Sequence, residues 1–149
     1  LISSDFVQKV RPEEFVSRGK TYSKESIGRL LKVAQVVDRI SLFRLEEFPD
    51  VFSVIKSILS QKCKILRICG DNFSPMTTEN ITSLVQFFHS LEKKVSFHAN
   101  HTRYFHRDRL RDMNTQIGRY AVQASLLPRS RQITIIHSDA EFPPLLKLF

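Results

Sequence analysis

Residues 37–70, VDRISLFRLEEFPDVFSVIKSILSQKCKILRICG, decide the fold. The segment DRISLFRL alternates Ile40 and Leu42 with Ser41 and Phe43. It is short, rich in branched residues and bounded by polar ones, so it reads as a strand. Pro49 suits the first turn of a following helix, because its missing N–H would have no intrahelical partner there. Val51, Val54, Ile55, Ile58 and Leu59 then recur at helical spacing and form one apolar face. KILRICG reads as a second strand, with Gly70 as the turn that ends it. The stretch is thus a strand–helix–strand unit.

The same alternation continues in both directions. After Gly70, DNFSPMTTEN offers several capping side chains before the stripe Ile81, Leu84, Val85, Phe88 and Leu91. KVSFHA reads as a third strand and RQITIIH as a fourth. The longest connection carries Leu110, Met113, Ile117, Ala121, Ala124 and Leu127 at helical spacing. It is read as a helix stopped by Pro128, with Gly118 as a tolerated interior glycine. Upstream, Ser23 can cap a helix over residues 24–37 that buries Ile27, Leu30, Leu31 and Ala34.

This order predicts an α/β chain of alternating helix and strand with a mainly parallel sheet and right-handed crossovers. Either an open sheet or a curved stack of strand–helix repeats resembling a leucine-rich repeat satisfies it. Strand starts near positions 40, 65, 95 and 133 drift too far for a strict repeat, and the LxxLxLxxN pattern is absent. The expectation is a single domain over 1–149, with its strand–helix core at 18–149. Residues 1–17 form a segment without assignable pattern, where Pro12, Glu13 and Glu14 fit the start of a short helix. Residues 140–149, AEFPPLLKLF, form a tail expected to pack back on the core.

With 42% hydrophobic and 26% charged residues, the chain has the composition of a globular protein rather than a disordered one. No run approaches the roughly 20 apolar residues that cross a bilayer, and the opening LISSDFVQKV lacks a leader pattern, so no membrane association is expected. The chain opens on Leu1 rather than a methionine, which leads us to expect a fragment of a longer chain or a processed product. Cys63 and Cys69 share one face if both lie on the second strand, and two buried thiols without a disulfide framework fit an intracellular location. The sequons at Asn72, Asn80 and Asn100 are then chance matches. A net charge of +8 favours acidic partners, whether a protein surface or nucleic acid.

Several motifs approach known chemistry and fail on spacing. HRDRLRDMN, from His106 to Asn114, is like a kinase catalytic loop, but Asn114 falls one residue late after Asp108 and no phosphate loop accompanies it. His98, His101 and His106 lie close in sequence, yet Arg103, Arg107 and Arg109 would repel a cation, and a solvated loop is the expected reading. His89 and His137 stand isolated and read as structural. There is no GxSxG elbow, and four glycines cannot supply a phosphate-cradling loop. No catalytic residue, metal site or cofactor is therefore expected.

The patch HTRYFHRDRLR carries the one candidate binding site, with Arg103, Arg107, Arg109 and Arg111 around Tyr104. Arginine on phosphates and aromatics under bases is the pairing that single-strand nucleic-acid binding uses. The competing reading is a charged outer helix face, since Asp108 and Asp112 offset half of the charge and Arg107 and Arg111 lie one turn apart.

Residues 36–100, on VDRISLFRLEEFPDVFSVIKSILSQKCKILRICG and ENITSLVQFFHSLEKKVSFHAN, resemble the F-box-associated domains of the nematode F-box expansion, in particular the FTH type. Gln86, Phe87 and Phe88 stand where that family often has a QWK-like segment, and no F-box precedes them. The resemblance implies a substrate-recognition or adaptor surface of leucine-rich-repeat-like strand–helix build. The first expectation is accordingly a non-catalytic protein-binding adaptor domain of a larger protein, with an acidic partner favoured. The alternative is an RNA-binding module using Arg103 to Arg111, and the third is an enzyme whose site assembles from distant residues. The sequence leaves the oligomeric state open.

Overall fold

The computed structural model of the protein describes residues 8–10, 14–17, 23–45, 50–70, 78–101, 113–127 and 130–139. In chain order these form β1 (Gln8–Val10), β2 (Glu14–Ser17), α1 (Lys24–Ala34), β3 (Arg39–Leu45), α2 (Val51–Leu59), β4 (Ile65–Gly70), α3 (Thr78–Ser90), β5 (Ser96–His101), β6 (Met113–Ile117), β7 (Tyr120–Leu127) and β8 (Ser130–His137). Among the described residues all eight strands join one sheet in the order β1-β2-β3-β4-β5-β8-β7-β6.

Each helix forms for a local reason. The Ser23 Oγ accepts the Ser26 N–H at 3.1 Å and so caps α1, while Cys63 N–H donates to the Ala34 carbonyl at its other end. Asp50 caps α2 by accepting the Ser53 N–H at 3.3 Å; Pro49, expected in the first turn, precedes that cap and lies outside the described residues. Helix α2 sits between α1 and α3, and Val51, Val54, Ile55, Ile58 and Leu59 are all buried. Helix α3 buries Ile81, Leu84, Val85 and Phe88, the stripe its spacing predicts. None of the described helices is long and apolar enough to cross a membrane.

The strands β2, β3, β4 and β5 pair in parallel, each with the next, and one helix bridges each step. Right-handed crossovers between neighbouring strands, all stepping one way, put the three helices side by side on one face. That face carries Phe15, Ile40, Leu42, Leu66, Ile68, Phe97 and Ala99, which are buried with the helices in one core. Full burial of each of these side chains other than Ala99 contributes about 1.5–3 kcal/mol. Lys93 then joins two connections by donating to the Cys63 carbonyl at 2.7 Å and to the Gln61 carbonyl.

The mainly parallel sheet and the repeat stack expected from the sequence are not what forms. Four of the seven pairings are antiparallel: β1 with β2, β5 with β8, β8 with β7 and β7 with β6. The decisive departure is the last connection, where the expected helix ending at Pro128 is instead a hairpin. Met113, Ile117, Ala121 and Ala124 do recur at helical intervals, but alternation is the period that is buried: Tyr120, Val122 and Ala124 face the core at every second residue. Gly118 is the turn, at φ +57°, with Ile117 paired to Tyr120 across a two-residue loop. That turn sends β7 back along β6, and β8, antiparallel to β7, also runs antiparallel to β5, with Phe97 opposite Ile135 and Ala99 opposite Ile133.

Two smaller expectations also change. Of the residues read as the start of a short helix, Pro12 and Glu13 lie outside the described residues, and Glu14 opens β2, whose Phe15 and Ser17 are buried. The two cysteines do not share a strand face. Cys63 precedes β4 and is fully buried, whereas Cys69 is half-buried on β4 and, alternating with Ile68, points to the side away from the helices.

Candidate functional site

The side of the sheet away from the helices is polar in register. Strand pairing sets Val16, Ser41, Arg67, His98, Thr134 and Gln123 in one row across six strands. A second row runs through Glu14, Arg39, Ile65, Ser96, Ile136 and Ala121 along the same pairings. No described helix lies on this side. Its middle is nonetheless buried: His98 is 0% exposed, and Ser96, Asn100, Thr134 and Ile136 are buried with it. The flank toward β2 is more open, with Glu14, Phe43, Arg67 and Cys69 half-buried and Arg39 exposed.

Electrostatics follow from that gradient. Burial, assisted by the Arg67 charge, pushes the His98 imidazole down to about 4, so the ring is neutral at physiological pH. The Arg67 guanidinium lies over the Phe43 ring at 5.7 Å from its centroid. Burial works against its charge, and Glu14 in the neighbouring row supports it. Arg39, Phe43 and Arg67 therefore form a cationic and aromatic cluster at the open flank, with Glu14 as its acidic edge.

A second constellation sits at the end of the core where α3 meets the hairpin. Tyr120 is wedged between His89 and His137, with edge-on ring contacts at 5.2 and 5.1 Å. The Tyr120 hydroxyl accepts the Val95 N–H at 3.3 Å, and burial raises its pKa. His89 Nε2 accepts the Arg119 N–H at 3.0 Å, and His137 Nδ1 accepts the Asp139 N–H at 3.1 Å. In the neutral imidazoles the remaining hydrogens are then on His89 Nδ1 and His137 Nε2. A cleft of 260 Å³ opens beside this group, between Phe88, Leu91, Lys94, Arg119, Tyr120 and His137. His89 and His137, isolated in sequence, are thus brought together around one tyrosine.

The residues singled out by sequence fare differently. Arg103, Tyr104, Arg107, Arg109 and Arg111 all lie outside the described residues, as does His106. His98 is in the buried middle of the polar face rather than in a solvated loop. The polar face itself was missed, although Arg39-Ile40-Ser41-Leu42 and Ser96-Phe97-His98-Ala99-Asn100 alternate polar and apolar residues without a break, the signature of a strand with two unlike faces. The His89–Tyr120–His137 group had no such signal, because its members come from three elements joined only by tertiary packing. Comparison with protein-family models, with curated proteins and with solved structures finds no match to this chain.

Proposed function

We propose that the chain is a non-catalytic protein-binding module, an adaptor part of a larger protein, that meets its partner through the β2–β4 flank of the polar sheet face. The observation that carries this reading is the cluster of exposed Arg39 with Arg67 stacked over Phe43, on a side of the sheet with no described helix. Arginine and aromatic side chains are the types enriched where interface energy concentrates. The net charge of +8 makes an acidic protein surface the fitting partner, with its carboxylates on Arg39 and Arg67. The resemblance to F-box-associated domains implies the same kind of role.

The test is affinity capture on the immobilised chain, run with the wild type and with the Arg39→Glu and Phe43→Ala variants after nuclease treatment. The captured protein is then purified and its binding to each variant measured directly. The expected result is a binary protein complex that Arg39→Glu weakens at least about tenfold, with salt dependence. Equal binding by wild type and both variants overturns the assignment to this flank. Capture that nuclease abolishes overturns the protein-binding reading in favour of RNA.

A further inference from the structure

The cleft beside Tyr120 has the chemistry of a binding site in its own right, distant in kind from a protein-docking face. One wall is apolar, formed by Phe88 and Leu91. Tyr120 also lines the cleft, and its hydroxyl, whose oxygen accepts the Val95 N–H, keeps its own hydrogen to donate. Beside it His137 has Nδ1 occupied by the Asp139 N–H, which leaves Nε2–H as a second donor in the neutral ring. Lys94 and Arg119, both exposed, also line the cleft, and the Arg119 guanidinium donates to the His89 carbonyl at 3.3 Å. Glu92 is the single carboxylate among the lining residues, against Lys93, Lys94 and Arg119.

We propose that this cleft binds a small organic carboxylate. Two hydrogen-bond donors, Tyr120 and His137, and two cations, Lys94 and Arg119, line the same cleft, and charge-assisted hydrogen bonds to a carboxylate are about twice as strong as neutral ones. The volume of 260 Å³ falls just below the roughly 300–1,000 Å³ of clefts that hold drug-sized ligands, which selects a small body. The Phe88 and Leu91 wall selects an apolar one. An inorganic anion would leave that wall in water, and a neutral amide of the same shape would forgo the cations. The ligand class is therefore a compact aromatic or branched acid, held head-down toward Tyr120 and His137 with its body against Phe88.

The experiment is a titration of the full chain followed by nuclear magnetic resonance, with benzoate, benzamide and inorganic phosphate as probes. Benzoate is expected to give saturable shifts centred on Tyr120, His137 and Arg119, with binding at least about tenfold tighter than benzamide or phosphate. The Lys94→Gln and Arg119→Gln double variant, checked by thermal unfolding to retain the fold, is expected to lose that margin. Phosphate binding as tightly as benzoate overturns the organic class, and benzamide doing so overturns the anion. Shifts that do not saturate, or that persist unchanged in the double variant, overturn the site.

Discussion

His89, at the C-terminal end of α3, accepts the backbone N–H of Arg119 through Nε2 at 3.0 Å, and the same ring fills the space a side chain at position 118 would need. Gly118 stands at φ +57°, a conformation most L-residues avoid. A Cβ built there would overlap the His89 Nε2 and Cε1 atoms. Helix and hairpin fit together because the tip of the turn has no side chain.

That contact makes the effect of Gly118→Ala separable into two parts. The left-handed backbone alone costs a non-glycine residue about 1–2 kcal/mol, and displacing His89 from the Arg119 N–H adds about 1 kcal/mol or more. Urea unfolding of Gly118→Ala is expected to show a loss of about 2–4 kcal/mol. In a His89→Ala background the same substitution should cost about 1–2 kcal/mol, since only the backbone strain remains. Strictly additive costs in the double-mutant cycle would mean that the imidazole and the turn do not compete for the same space.

The buried imidazole of His98 predicts a specific acid sensitivity. Its folded-state value is pushed down to about 4 from an ordinary 6.5, so between those limits the unfolded chain binds a proton that the folded chain refuses. Stability from this group is full above pH 6.5 and is lost as the pH falls toward 4. The difference amounts to about 3 kcal/mol over that window. Unfolding free energies measured by denaturant at pH 7, 5.5 and 4 should fall more steeply in the wild type than in His98→Gln. Parallel curves for the two proteins would place the acid sensitivity in other groups.

The parts of the fold that could be read in the sequence are those where one period explains the apolar residues. The stripe Val51, Val54, Ile55, Ile58 and Leu59 admits only a helix, and the strands around Ile40, Leu66, Phe97 and Ile135 stand where the short branched runs place them. Residues 113–127 fit two periods at once. Met113, Ile117, Ala121 and Ala124 satisfy helical spacing, while Ile117, Tyr120, Val122 and Ala124 satisfy two alternating strands broken at Gly118. Thr115, Ile117, Tyr120 and Val122 are strand formers, and Asn114 and Thr115 are weak helix formers, so propensity favoured the hairpin that spacing obscured. The antiparallel pairings beyond β5 followed from that one segment. The candidate sites were less legible still: the polar face needs the register of six strands, and the tyrosine cleft needs α3, the hairpin and β8 to meet.

The two cysteines should react differently because the sheet separates them. Cys63 is fully buried, and burial pushes its thiol up to about 12, while Cys69 is half-buried on the polar side of β4. A disulfide reagent at pH 8 is expected to label Cys69 in the native protein, with Cys63 labelled only at the rate of unfolding. Mass mapping distinguishes the two. Rapid native labelling of both thiols would contradict the placement of Cys63 in the core beneath α1 and α2.

The antiparallel course of β8 along β5 can be tested by which pair of engineered thiols joins. Asn100 lies directly opposite Gln132, and Ser96 opposite Ile136. Directly opposed antiparallel residues have Cα atoms about 4.5–5.5 Å apart, within the reach of a disulfide. Ser96 and Gln132 are four positions out of register, about 13 Å along the strand at about 3.3 Å per residue, beyond the roughly 7 Å that a disulfide tolerates. A parallel β8, as the sequence led one to expect, would reverse this by running Gln132 toward the Ser96 end of β5. Cys69 neighbours Asn100 across the β4–β5 pairing and would compete for a thiol placed there, so the variants are made in a Cys69→Ser background. Asn100→Cys with Gln132→Cys is expected to oxidise readily and intramolecularly, and Ser96→Cys with Gln132→Cys to remain reduced. The opposite pattern would contradict the antiparallel register of β8 along β5, in which Asn100 faces Gln132 and Ser96 faces Ile136.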